Sequence, residues 1–249
     1  MPSRPFIAAL AMAFTLSALA GTARAQDESI DPYAGGLVGG NYLRVSAGFT
    51  SPLNPSGAYR DWDGGNAFAV SWENWDDGAR GVGRIGFAIG ATYAALPFDA
   101  AQFLPRFQTL AGVPATSANA SSAALVTVET QLRYRLPVPF IMPSILFGFG
   151  YINFHPSKIH YSTAATADAT TSQQQKSGAV ISIGAGLDRQ LFDRYALFGE
   201  GTYGYGFTSL GAGFANPRGT CAASNNGCDV LKNIALGTLR GGLRVHVGR

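Results

Sequence analysis

The chain has 249 residues, of which 13% are charged and 47% hydrophobic, with a formal net charge of +3. No basic patch stands out, which argues against a nucleic-acid partner. A soluble domain carries roughly 25–35% charged residues on its surface, so the deficit here points to a surface that does not meet water.

The N-terminus has the features of an export signal. Arg4 gives a short positive region, residues 6–20 form an apolar run, and Ala23-Arg24-Ala25 is a small-x-small cleavage site. Residues 1–25 therefore read as a secretory signal peptide, whose apolar run is too short to span a bilayer. Removing Arg4 and Arg24 leaves sixteen basic against fifteen acidic residues, a net charge of about +1. No cysteine lies near the cleavage site, which argues against a lipid anchor. Residues 26–40, acidic at Asp27, Glu28 and Asp31 and then rich in glycine, read as a flexible leader. Residues 41–249 are of a length that fits one domain, and none of it is apolar enough for a transmembrane helix.

The first predicted strand spans 41–50, with Leu43, Val45, Ala47 and Phe49 on one face and Tyr42, Arg44, Ser46 and Gly48 on the other. After a loop of Pro, Asn, Gly and Asp, the second spans 66–75, with Phe68, Val70 and Trp72 opposite Ala69, Ser71 and Glu73. A tight turn at Asp76-Asp77-Gly78 leads to the third, 84–94, where Ile85, Phe87, Ile89, Ala91 and Tyr93 oppose Arg84, Gly86, Ala88, Gly90 and Thr92. A long connection, 96–122, precedes the fourth at 124–136. There Val126, Val128, Thr130, Leu132 and Tyr134 alternate with Thr127, Glu129, Gln131, Arg133 and Arg135. This period of two, in β-branched and aromatic residues, belongs to a strand and not a helix.

A short turn, 137–143, leads to the fifth strand, 144–154, where Ile145, Phe147, Phe149 and Tyr151 alternate with Gly148 and Gly150. A polar loop runs to Gln175. The sixth strand, 178–189, sets Ile181, Ile183 and Leu187 against Ser182, Gly184, Gly186 and Asp188. A turn at 190–194 joins it to the seventh, 195–207, with Leu197, Tyr203 and Tyr205 opposite Phe198, Glu200, Thr202 and Gly204. A long loop, 208–232, carries both cysteines. The eighth, 233–248, sets Leu239, Leu243, Val245 and Val247 against Thr238, Arg240, Arg244 and His246.

Eight strands joined by connections that alternate long and short predict an all-β, eight-stranded antiparallel up-and-down transmembrane β-barrel. Short periplasmic turns and long extracellular loops are the habit of outer-membrane barrels. A secreted lipocalin-like barrel, apolar inside, would show the same alternation. Three features weigh against it: small residues crowd the polar face, strands of about ten residues match the apolar band, and aromatics gather near strand ends as in interfacial girdles (Tyr42, Trp72, Trp75, Tyr93, Tyr134, Tyr151, Tyr195, Tyr205). An arginine on the lipid face near the midplane costs about 2–4 kcal/mol, so the ionic face must be the inner one. Arg44, Glu73, Arg84, Glu129, Arg133, Arg135, Asp188, Glu200, Arg240 and Arg244 then form a charge network in a lumen narrow enough to be filled. A conduction path or gate is the alternative use of the same residues.

On these strands, loops and this signal sequence, the chain resembles the small outer-membrane β-barrel family, the OmpA-like and opacity-protein-like, porin-family barrels. Arg240, Gly242, Val245 and Val247 in the last strand resemble that family's assembly signal, which implies recognition by the barrel-assembly machinery. The chain departs from the pattern by ending in Gly248-Arg249 rather than an aromatic residue. Cys221 and Cys228 are expected to pair as a disulfide in an oxidising compartment, worth about 2.5 kcal/mol on the chain-entropy model; a metal site would need two further ligands. His155 with Ser157 or Ser162 is the nearest approach to a catalytic pair, and ordinary loop residues are the better reading of them.

The reading is a monomeric, non-enzymatic barrel of a Gram-negative outer membrane, with no cofactor. It meets membrane lipid and lipopolysaccharide, and its loops offer a surface to an extracellular ligand. The alternatives are a small-solute channel, a lipid-A-modifying barrel enzyme and the lipocalin-like binding protein.

Overall fold

Every inward- and outward-facing set named above follows from one closed sheet. The computed structural model describes residues 39–53, 57–76, 83–136, 141–172, 175–192, 194–208 and 233–248. The signal segment, most of the leader, the 137–140 turn and the loop with Cys221 and Cys228 lie outside them, and so does the expected disulfide.

Eight strands form the barrel: β1 (Gly40–Pro52), β2 (Gly65–Trp75), β3 (Arg84–Leu96), β5 (Ala123–Arg135), β6 (Met142–His155), β9 (Lys176–Phe192), β10 (Tyr195–Phe207) and β11 (Ile234–Gly248). Each pairs antiparallel with its neighbours, and β11 closes on β1. Closure leaves no free edge, the condition under which strands can cross a bilayer. Most strands run a few residues beyond their sequence-read ends, and the turn expected at 190–194 is tighter because β9 continues to Phe192. β1 also takes up Gly40, the last residue assigned to the leader.

The two faces separate as the alternation requires. Val45 is 54% exposed and Ile183 61%, whereas Arg44, one residue from Val45, is 3% exposed. Phe68, Ile89, Val128, Phe147 and Leu197 carry the same exposed apolar surface around the barrel. A continuous apolar belt of this extent exceeds anything a soluble monomer presents to water and is the lipid face of a membrane-spanning barrel. The girdle reading holds for Trp72, Tyr93, Tyr151 and Tyr195, which are exposed, and fails for Tyr42 and Trp75, which are buried. Tyr42 has the parity of Arg44, and Trp75 that of Glu73, so both rings must enter the lumen. Gly86 makes room for one of them: a Cβ there would come within 2.5 Å of the Trp75 ring.

The long connections are less plain than their composition implied. The one after β3 holds helix α1 (Ala100–Ala111) and β4 (Ala115–Ala120), and the one after β6 holds β7 (Lys158–Thr163) and β8 (Ala169–Ser172). β4, β7 and β8 form a three-stranded sheet outside the barrel. Asp99 caps α1 by accepting from the amides of Ala101 and Gln102, and Gly112, at φ 69°, closes its other end. These are ordinary start and stop signals. Pro105 inside the helix and the small polar residues of β4 hide them from a reading based on periodicity.

Candidate functional site: the lumen

Along the barrel axis the inward side chains change character. At the short-turn end and through the middle they are ionic. Glu73 on β2 is reached by three guanidiniums, with Arg44 Nη1 at 2.8 Å, Arg133 Nε at 3.3 Å and Arg244 Nη2 at 2.5 Å. Glu200 on β10 is likewise shared, with Arg44 Nη2 at 2.9 Å, Arg133 Nη1 at 3.0 Å and Arg240 Nη2 at 2.5 Å. Asp188 on β9 takes Arg244 Nη1 at 3.2 Å and lies 3.5 Å from Arg135 Nη2. Arg44 and Arg133 each bridge Glu73 to Glu200, so carboxylates of β2 and β10, three strands apart around the barrel, are tied together across the lumen.

The remaining members of the sequence-read set are placed differently. Glu129 accepts a hydrogen bond from Gln131 Nε2 at 3.3 Å, and Gln131 in turn accepts from Arg133 Nη2 at 2.6 Å. Arg84 stands at the short-turn end of β3, directly across from Arg135. Aromatic rings line the guanidiniums: Phe198 lies 3.5 Å from Arg44, and Trp75 4.0 Å from Arg135. Trp75 also donates its indole N–H to Glu73 Oε2 at 3.0 Å. Buried charge is tolerable only when paired and hydrogen-bonded, and shared carboxylates supply that for most of the set.

Above the charges the wall turns to hydroxyls. Arg240 Nη1 donates to Thr92 Oγ1 at 3.0 Å, and Thr50 and Thr238 are hydrogen-bonded at 3.0 Å. They border a cavity of about 30 Å³, lined also by Thr127, Thr202 and Glu129. A polar space of that size admits a water molecule or two.

The long-loop end is closed by apolar residues, a feature the sequence reading missed. Leu96, Leu125, Ile152, Phe154, Val180 and Ile234 point inward from the strand ends. A 3-10 turn (Gly57–Asp61) and α1 cover them, so that Tyr59 and Trp62 pack edge-on to Phe154 at 4.8 and 6.3 Å. From Trp62 the contacts continue through Phe98, Phe103 and Phe107 to Tyr161 on β7. Two side-chain contacts among the polar ones anchor this cap: Asp61 holds Arg106 of α1 in an ion pair, and Tyr59 donates to Thr208 Oγ1 at 2.9 Å. Burial pushes the Tyr59 phenol up to about 12, against a small opposing effect of that hydrogen bond. Asp63 is raised too, by burial and by the neighbouring Asp99 carboxylate. The signal for the cap lay in aromatics spaced through a connection otherwise read as loop.

No family model matches the chain, and no curated relative does. Solved structures do. The chain is similar to small outer-membrane barrels. Neisserial surface protein A is 13% identical, with 82% of this chain and 96% of that one covered and a TM-score of 0.43. A major outer membrane protein of Thermus thermophilus is 14% identical, with coverage of 82% and 98% and a TM-score of 0.46. Ail, the attachment invasion locus protein of Yersinia pestis, is 10% identical, with coverage of 82% and 99% and a TM-score of 0.39.

The residues that resemble an assembly signal sit on the closing strand: Gly242 pairs with Ser46 of β1, and Val247 is 57% exposed on the lipid face. The histidine and serines considered for catalysis are not brought together. His155 Nδ1 bonds to Gln175 Oε1 at 3.1 Å, while Ser157 and Ser162 donate to the carbonyls of Ser121 and Ala167. His160 instead lies 3.5 Å from Asp168, in an exposed pair on the outer sheet.

Proposed function

We propose that the chain is a non-enzymatic outer-membrane protein with a filled lumen, whose role is structural or is carried by the surface its long loops present outside the cell. The observation that carries this reading is the double filling of the cylinder, by shared ion pairs below and a packed aromatic cap above. A lumen filled at both levels is suited to holding the barrel rigid in the membrane and poorly suited to passing solute. The outward assembly of α1 and the β4–β7–β8 sheet is the surface available to an extracellular ligand. Membrane lipid and lipopolysaccharide would contact the apolar belt, and the barrel-assembly machinery would engage β11 during insertion.

Planar-bilayer recording of the purified protein tests the lumen. A silent bilayer agrees with the proposal; stable unitary steps would favour the second reading, a small-solute channel, for which the hydroxyl-lined cavity on the axis speaks. Cell fractionation with heat-modifiable gel migration tests location, since the protein should fractionate with outer membranes and migrate faster unboiled. Incubation with lipopolysaccharide should leave its acyl chains unchanged; altered chains would assign the protein to the enzyme class.

A further inference from the structure

The outer face of the barrel carries one formal charge. Outward positions on the eight strands hold apolar, glycine, hydroxyl or amide side chains, with His155 at the long-loop end of β6; the exception among the described residues is Arg189 of β9. Its neighbours fix its place in the alternation. Asp188 is buried in the lumen, whereas Leu187 and Leu191 are exposed on the outside, and Arg189 is exposed with them. Leu197 of β10, also exposed, lies directly across from it.

An arginine among leucines on a lipid face is costly at mid-bilayer and nearly free of cost at the interface, so its height matters. Arg189 stands three residues before Phe192, where β9 ends. At about 3.3 Å per residue and a strand tilt near 40°, that is about 8 Å from the short-turn end. On the far side of the barrel the outward Asn41 and Asn74, hydrogen-bonded at 3.0 Å, mark the same border of the apolar belt. The rest of the hairpin suits a headgroup region. Leu191, Phe192 and Tyr195 expose apolar and aromatic surface around the arginine, as interfacial residues do. Arg194, exposed as well, adds a second guanidinium, against the one carboxylate of Asp193 in the sequence of this turn. The other two short connections have no such excess: 136–143 holds no charged residue, and 76–84 sets Asp76 and Asp77 against Arg80 and Arg84.

We infer that the β9–β10 hairpin binds the phosphate of an anionic phospholipid in the leaflet at the short-turn end, through Arg189 with Arg194 beside it. Such a site exists only if the belt faces lipid. A planar guanidinium matches the paired oxygens of a phosphate, and with five N–H donors a contact inside the protein leaves others for the headgroup. Its stem can lie along the leucines while its charged end reaches the interface. An anionic headgroup is favoured over a zwitterionic one, whose ammonium gains nothing beside two arginines. Arg189 faces the lipid side and not the lumen, so the ligand is a headgroup and not a free anion.

The test reconstitutes the full-length barrel in phosphatidylcholine vesicles with a trace of chain-labelled spin lipid, either phosphatidylglycerol or phosphatidylcholine. Lipid held against the barrel gives a motionally restricted component in the electron-spin spectrum. That component should be larger for phosphatidylglycerol, and Arg189→Gln should remove most of the excess while leaving the phosphatidylcholine component unchanged. Equal components for the two lipids in the parent, or an excess that survives in Arg189→Gln, would overturn the site and leave the lipid-facing belt intact. A restricted component missing for both lipids would overturn the belt, and the site with it. Should Arg189→Gln fail to insert, Arg189→Leu, which matches Leu187 and Leu191, takes its place with the same expected loss. Inorganic phosphate and chloride at matched ionic strength should lower the excess equally, by screening; a greater loss with phosphate would mean that a free anion takes the site, and the assignment to a headgroup would be wrong.

Discussion

The two ends of the lumen fill the same cylinder by opposite means. Near the short turns the inner wall is charged, and each carboxylate is committed to two or three arginines. Near the long loops the same inward positions carry Leu, Ile and Phe, and the filling comes from outside the barrel, from the 3-10 turn and α1. The ionic end is self-contained, because its ion-pair partners among the described residues sit on strands already fixed by the sheet. The apolar end depends on loops that must fold onto it. The first should respond to loss of any single charge, the second to loss of volume.

The largest effect is expected from Glu73→Ala, which strands three buried guanidiniums; removing one partner of a buried ion pair costs about 3–5 kcal/mol. The denaturant midpoint of heat-modifiable migration should fall accordingly, and Glu73→Gln, though the same shape, should recover little. Phe154→Ala in the cap should cost about 3–4 kcal/mol by the transfer and cavity terms of a core phenylalanine. There Phe154→Leu should recover most of the loss, because apolar packing tolerates a change that keeps volume. If Glu73→Gln is as mild as Phe154→Leu, the contrast between the two ends is wrong.

The barrel and the charged part of the lumen were legible from residues alone, and the cap was not. A period of two assigns each side chain to a face without knowledge of partners, so Arg44, Glu73 and Arg244 could be placed inside. The same rule placed Tyr42 and Trp75 inside, and the girdle reading of those rings ignored it. What periodicity cannot give is which inward residues meet across the axis: that Glu73 would take Arg133 from β5 depends on barrel closure and stagger. The cap was hidden for a different reason. Tyr59, Trp62, Phe98 and Phe103 follow no strand period, and Pro105 interrupts the helical one. Their order comes from packing onto Phe154 and Leu96, which no local pattern records.

Smaller effects sharpen the same contrast. Val128→Arg, on the outer face at the middle of β5, should destabilise by about 2–4 kcal/mol in a bilayer and reduce insertion into vesicles. Tyr59→Phe should cost about 1 kcal/mol, the net value of one hydrogen bond. The difference between the ultraviolet titrations of parent and Tyr59→Phe should show a phenol ionising near pH 12. A phenol raised by folding keeps its proton while the unfolded chain loses it, so the parent should lose stability as pH climbs above about 10, and Tyr59→Phe less so.

The central claim is that the apolar face of the zigzag touches lipid. Spin labels at Val70, Val128 and Ile183, one per variant with Cys221 and Cys228 replaced by serine, test it by collision with oxygen and with a water-soluble nickel complex. Val113, exposed beyond α1, serves as the aqueous reference. All three strand positions should collide with oxygen and be shielded from nickel, while Val113 shows the reverse. Nickel accessibility at the strand positions equal to that at Val113 would mean that the belt faces water, and the barrel would not be a membrane protein.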